Sequence, residues 1–153
     1  MKQYSNEEIV SARERMQRKF QEETAEIGES KFTYFIMPQE LNPNLVHFVW
    51  QCSNAQTGVF GISDSVPQLY RPFAVYHEIL ESKMSGEDKC RRALEMELKL
   101  VPQEIKRDYA LMRSNFFKQL TEYARVNNYG EERVKAFEDN ASKLEQIAGG
   151  QSD

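Results

Sequence analysis

The chain predicts an α+β fold. Three observations carry that reading: a capped amphipathic helix opens the chain, three short segments of strand character follow, and everything beyond them has helical periodicity. The first helix is expected over residues 5–27. Ser5 and Glu8 make a capping box, Ile9, Ala12, Met16, Phe20 and Ile27 recur at helical spacing, and Gly28 supplies the stop. Strand character then marks 31–37, which is rich in Phe, Thr and Tyr. It marks 45–52, where Val46, Phe48, Trp50 and Cys52 alternate with Leu45, His47, Val49 and Gln51, and 57–63, which carries Val59, Phe60 and Ile62. Turn-rich connectors at 38–44 and 53–56 make a meander of neighbouring antiparallel strands the economical arrangement.

Four helices are expected after the strands. The first covers 69–84, with Pro72 tolerable only near its start and Phe73, Tyr76, His77, Leu80 and Met84 on one stripe; Ser85 and Gly86 close it. A second starts at Glu87 and Asp88, acids that suit a helix N-terminus, and runs to Val101. Pro102 opens a third, in which Ile105, Tyr109, Met112, Phe116, Leu120 and Tyr123 keep the period as far as Asn127 and Asn128. The last, 131–148, sets Val134, Phe137, Ala141, Leu144 and Ala148 on one stripe before Gly149. No linker-like stretch divides the chain, so a single domain over 1–153 is expected, with its core in 1–102 and a helical extension in 103–148.

An apolar share of 40% and a charged share of 29% are ordinary for a soluble globular protein and suggest neither the disordered nor the membrane class. A net charge of -4 argues against nucleic acid as a partner, because phosphate binding rests on clustered Lys and Arg. The densest basic run, Arg13, Arg15, Arg18 and Lys19, is interleaved with Glu14 and followed by Glu22 and Glu23, the pattern of a solvated helix face. No apolar stretch follows Met1 and no run is long enough to cross a bilayer, so a cytoplasmic protein with no membrane partner is expected. Cys52 and Cys90 match no metal or redox spacing and read as reduced thiols.

The chemistry sits in Tyr76-His77-Glu78-Ile79-Leu80-Glu81, the zinc-peptidase pattern H-E-x-x-H with glutamate in place of its last histidine. One helical turn separates His77 from Glu81, so both could reach one metal ion, and Glu78 stands beside them as a candidate general base. Exchanging an imidazole for a carboxylate hardens the ligand set, which then tolerates manganese, iron or magnesium as readily as zinc. The alternative is an ordinary amphipathic helix with a half-buried His77 and solvated Glu78 and Glu81. Marks of other catalytic systems are missing: there is no G-x-S-x-G, no Walker A loop, no G-x-G-x-x-G and no Cys-x-x-Cys.

Helix, strands, motif helix, further helices: this order resembles the minimal zincin fold, the core shared by H-E-x-x-H metallopeptidases. The likeness covers residues 5–102, with His77 and Glu78 matching the defining motif. It implies that 58–63 is the edge strand of a substrate cleft, that 66–72 connects it to the motif helix, and that a third ligand comes from the next helix, as in the glutamate-zincin branch. Glu97 is the position for it. It lies within the apolar stripe of Cys90, Ala93, Leu94, Leu98 and Val101, whereas Glu95 lies with Arg91, Arg92 and Lys99. A carboxylate on an apolar face is costly unless it is paired, protonated or bound to metal, so a lysine or arginine from a neighbouring helix is the other candidate for Glu97's partner.

Cys90 offers a soft ligand or a packed thiol. His47, mid-strand, offers an oxyanion donor or a structural histidine, and Tyr109 and Tyr123 read as core aromatics with anchored hydroxyls. What the resemblance implies is a metal-dependent peptidase acting on a protein or peptide. Zinc or another divalent ion would be held by His77, Glu81 and Glu97, and Glu78 would carry the proton from water to the leaving amine. The additional negative ligand reduces the ion's pull on water, so activity is expected to be weak or lost. The competing class is a non-catalytic protein-interaction or regulatory module, on a zincin-like or helical scaffold, with no metal at all.

Overall fold

The capping box forms as its residues require: Ser5 Oγ accepts from the Glu8 amide at 3.1 Å and Glu8 Oε1 from the Ser5 amide at 3.3 Å. These bonds start helix α1 (Asn6–Lys19) in a computed structural model that describes residues 5–51 and 58–150. The helix ends at Phe20, well short of the expected Gly28, and Gln21–Ile27 form strand β1 instead. Glutamates in this stretch favour a helix locally, yet Glu23, Ala25 and Ile27 also alternate inward at period two. Antiparallel pairing with β2 (Ser30–Met37), across a tight turn in which Gly28 takes φ 58°, decides between the two.

The remaining strands are β3 (Val49–Gln51) and β4 (Phe60–Ser63), and the four-stranded sheet has the order β1-β2-β4-β3. This corrects the antiparallel meander. β4 runs parallel to β2 and antiparallel to β3, so β3 is one sheet edge and the 58–63 segment expected at an edge is internal. Gly61 suits the internal position. It pairs with Phe35 on one side and Trp50 on the other, and a Cβ would collide with Met37 and press on Trp50. Most of the strand expected at 45–52 is a turn, with His47 at φ 65°. Gln39 makes that turn possible: its side-chain oxygen accepts from the His47 amide at 3.0 Å, and its nitrogen donates to the carbonyls of Asn42 and Leu45 at 2.9 and 3.1 Å. Cys52 and the 53–56 connector lie outside the described residues.

Four helices follow, close to their expected bounds: α2 (Arg71–Ser82), α3 (Lys89–Leu100), α4 (Gln103–Val126) and α5 (Glu131–Ala148). The chain is therefore α+β with a C-terminal helical extension. Period-two alternation in β2 places Phe35 in a small core with Ala12, Met16 and Val59, beneath α1. Tyr34 faces the other way, into a cluster that continues through Phe60, Val75, Leu98 and Phe117 to Leu144 of α5. Helix α2 lies across the sheet. Arg71 pairs with Glu23 of β1 at 3.2 Å, Tyr76 stacks on Phe32 at 6.0 Å, and Gln51 of β3 reaches Glu78. Phe73, on the same stripe as Tyr76, turns instead to the edge of Tyr109 on α4 at 5.9 Å. His77 is thereby directed at α3 and α4. Among the described residues no helix is long and apolar enough to cross a membrane.

Candidate metal centre

Both nitrogens of the His77 ring are engaged, on opposite sides. Nδ1 lies 2.8 Å from Glu97 Oε1; Nε2 lies 2.6 Å from Glu81 Oε1 and 3.5 Å from Cys90 Sγ. The ring edge packs on Phe117 at 5.9 Å. Glu81 is on His77's own helix, one turn on, and Cys90 comes from the first turn of α3. Asn140 of α5 donates to Cys90 Sγ at 3.3 Å and to its carbonyl at 3.4 Å.

Glu97 is fully buried and fully bonded. Arg113 of α4 forks onto it, Nε to Oε2 at 2.9 Å and Nη2 to Oε1 at 3.1 Å, and the Tyr109 hydroxyl donates to Oε2. The Arg113 guanidinium, itself buried, lies against the rings of Phe116 and Phe117 at 5.2 and 5.0 Å. Desolvating Glu97 is expensive, and this arrangement offsets the cost with opposite charge and four donors.

The titration behaviour follows from these contacts. Burial alone would push Glu97 up, but Arg113's charge and the hydrogen bond from His77 hold it below the usual carboxylate range. Burial would lower His77, and its contacts with Cys90, Glu81 and Glu97 outweigh that and raise it well above the ordinary imidazole value. Glu81, against the effect of burial, is held down by its bond to His77. Among the described residues no cation is bonded to Glu78. Burial and then the charge of Glu81 push it up to about 7, while Gln51 Nε2 donates to its Oε2 at 2.9 Å. Burial raises the Cys90 thiol.

His77, Glu81 and Cys90 form a group that could hold a metal ion, each offering one ligand atom, all within 4.8 Å of one another. The fit can be tested on distances. Zinc bonds of about 2.1 Å to nitrogen and about 2.3 Å to sulfur set a tetrahedral N–S edge of about 3.6 Å, close to the Nε2–Sγ separation of 3.5 Å. The corresponding N–O edge is about 3.4 Å. The 2.6 Å between Nε2 and Glu81 is a hydrogen bond, and Glu81 would open outward to ligate. Beside the group is a cleft of about 870 Å³ lined by Glu78, Glu81 and Cys90, by Gln51 of the β3 edge, and by the first turns of α5.

The structure thus brings His77, Glu78, Glu81, Cys90 and Glu97 together, with a change of parts. Glu97, expected as a ligand, has its oxygens committed to Arg113, Tyr109 and His77 Nδ1. Cys90 stands on the Nε2 side instead. Cys90 and Glu97 meet opposite nitrogens of the ring, so an ion on the Nε2 side has Cys90 and Glu81 beside it and not Glu97. His47 is remote from this group. It bonds Ser65 Oγ through Nδ1 at 2.8 Å, and burial lowers its pKa. Tyr109 is the anchored core aromatic expected, whereas Tyr123 is 43% exposed and packs on Tyr129. Arg113 and Asn140 went unnoticed in the sequence, although each is a polar residue on the apolar stripe of its helix, the same signal that drew attention to Glu97. Gln51 left no signal. No protein-family model matches the chain, and neither the curated proteins nor the solved structures contain a significant match.

Proposed function

We propose that this chain is a zincin-like, metal-dependent peptidase of reduced activity, with its ion held by His77, Glu81 and Cys90 and with Glu78 as general base. The observation that carries the reading is the donor triangle at the cleft: imidazole, carboxylate and thiol atoms within 4.8 Å, beside the carboxylate of Glu78. Imidazole and thiolate favour zinc over magnesium or manganese, a softer set than Glu97 would have made. When bound, the ion supplies Lewis acidity toward a water and toward the carbonyl to be cleaved. Glu78, fixed by Gln51 at 2.9 Å, accepts the water's proton and returns it to the leaving amine. The cleft between the β3 edge and α5 receives the peptide. Two anionic donors lower the site's net positive charge, which keeps cleavage slow.

Replacing Glu78 by Gln should leave metal content intact and abolish chelator-sensitive cleavage of a mixed peptide library, whereas His77→Ala should remove both. Wild-type protein that binds metal without cleaving any peptide would reject the peptidase.

A non-catalytic protein-interaction module is the second reading, and one observation favours it. Among the described residues every buried side-chain polar atom has a hydrogen-bond partner, so the cluster closes on itself without an ion. Wild-type protein that takes up no zinc would support this reading.

A further inference from the structure

Resting on the metal reading above, we propose that Glu97 is the positioning residue of the centre, the group that makes His77 Nε2 the donor atom. Arg113 forks onto both Glu97 oxygens and the Tyr109 hydroxyl adds a donor to Oε2, so the carboxylate is an anion that only accepts. The ring nitrogen facing it, Nδ1 at 2.8 Å, therefore carries the hydrogen. Once an ion displaces the proton that Nε2 shares with Glu81, the imidazole protonated at Nδ1 presents its lone pair at Nε2, the nitrogen that faces Cys90 and Glu81. Glu97 acts on the site only through the ring. Its own anchors, Tyr109 and Arg113, are both on α4, so a helix beyond the zincin-like segment sets the direction of the histidine ligand. Outer carboxylates of this kind typically contribute about 10–100-fold in metal affinity.

The test uses the full chain with cobalt and zinc ions as probes. Cobalt loading of wild type should give a visible ligand-field spectrum with a thiolate charge-transfer band. In the zinc-loaded protein, long-range nitrogen–proton spectra of its two histidines should show His77 protonated at Nδ1 and metal-bound at Nε2. Glu97→Gln should then bind cobalt about 10–100-fold more weakly with an unchanged spectrum, because the same three donors remain. A changed cobalt spectrum in Glu97→Gln, unchanged affinity, or metal on Nδ1 would overturn the positioning role while leaving the metal site standing. Wild type that binds neither ion would overturn the metal reading and this one with it. Should the unpaired Arg113 keep Glu97→Gln from folding, the double variant Glu97→Leu/Arg113→Met removes both buried charges and carries the same comparison, with the same outcomes.

Discussion

The two carboxylates that flank the His77 ring differ in nearly every physical respect. Glu97 is 0% exposed and receives Arg113, Tyr109 and His77 together; Glu81 is 19% exposed and has His77 as its hydrogen-bonded cation, at the wall of the cleft. One face of the imidazole is thus locked into the interior by a charge pair that cannot be broken cheaply, and the other is held by a bond that a competing ligand can replace. A buried polar network gives a site its rigidity, and its least committed member is where chemistry can enter.

The largest effect should come from breaking the locked side. Glu97→Ala leaves Arg113 charged and alone in the core and should cost about 3–5 kcal/mol of unfolding free energy, against about 1 kcal/mol for Glu81→Ala. Urea denaturation measures both, and equal losses would abolish the asymmetry. Next comes metal uptake, read by zinc titration against a chromophoric chelator. Cys90→Ser should weaken it by more than the roughly 100-fold limit expected of an outer-sphere partner. A smaller loss would move Cys90 out of the ligand set.

The pH dependence of the chelated protein follows in size. His77, raised from 6.5, contributes stability that is present below that value and lost as pH climbs through its folded pKa. Glu78, raised from 4.5 to about 7, favours its protonated form, so it also makes folding less favourable as pH rises across that window. Glu97, lowered from 4.5, contributes stability above that value which is lost as pH falls through its folded pKa. Metal-free protein should therefore melt at a lower temperature near about pH 8 than near about pH 5.5, with an acid limb below about 4.5. Zinc should reverse the neutral-range trend, because ligands must shed protons to bind it. A chelated Tm that rises between those two conditions would contradict the assignment. The smallest effect is Glu95→Ala, an exposed change on the outer side of α3, expected to stay within about 0.5 kcal/mol of wild type by the same denaturation measurement.

How much of this was legible depended on the range of the forces involved. The bounds of α2 to α5 follow from apolar spacing and from Pro and Gly, which act locally, and the motif spacing alone put His77 and Glu81 on one face. Residues 21–27 satisfied helical and alternating patterns at once, and only the cross-strand pairing of Thr24 with Thr33 and its neighbours settled the choice. The insertion of β4 between β2 and β3 is likewise a matter of partners distant in sequence. Glu97 announced itself as a carboxylate on an apolar stripe, and Arg113, displaced by one residue from Met112, carried the matching signal on α4. What no single helix could reveal was which nitrogen of His77 each partner would meet.

The central claim is that the open side of His77 holds a zinc-class ion. Elemental analysis of the chain purified without chelator and then equilibrated with zinc tests it most directly. About one ion per chain is predicted for wild type and for Glu78→Gln, with the ion lost in Cys90→Ser. Wild-type protein that remains metal-free after exposure to zinc would contradict the claim.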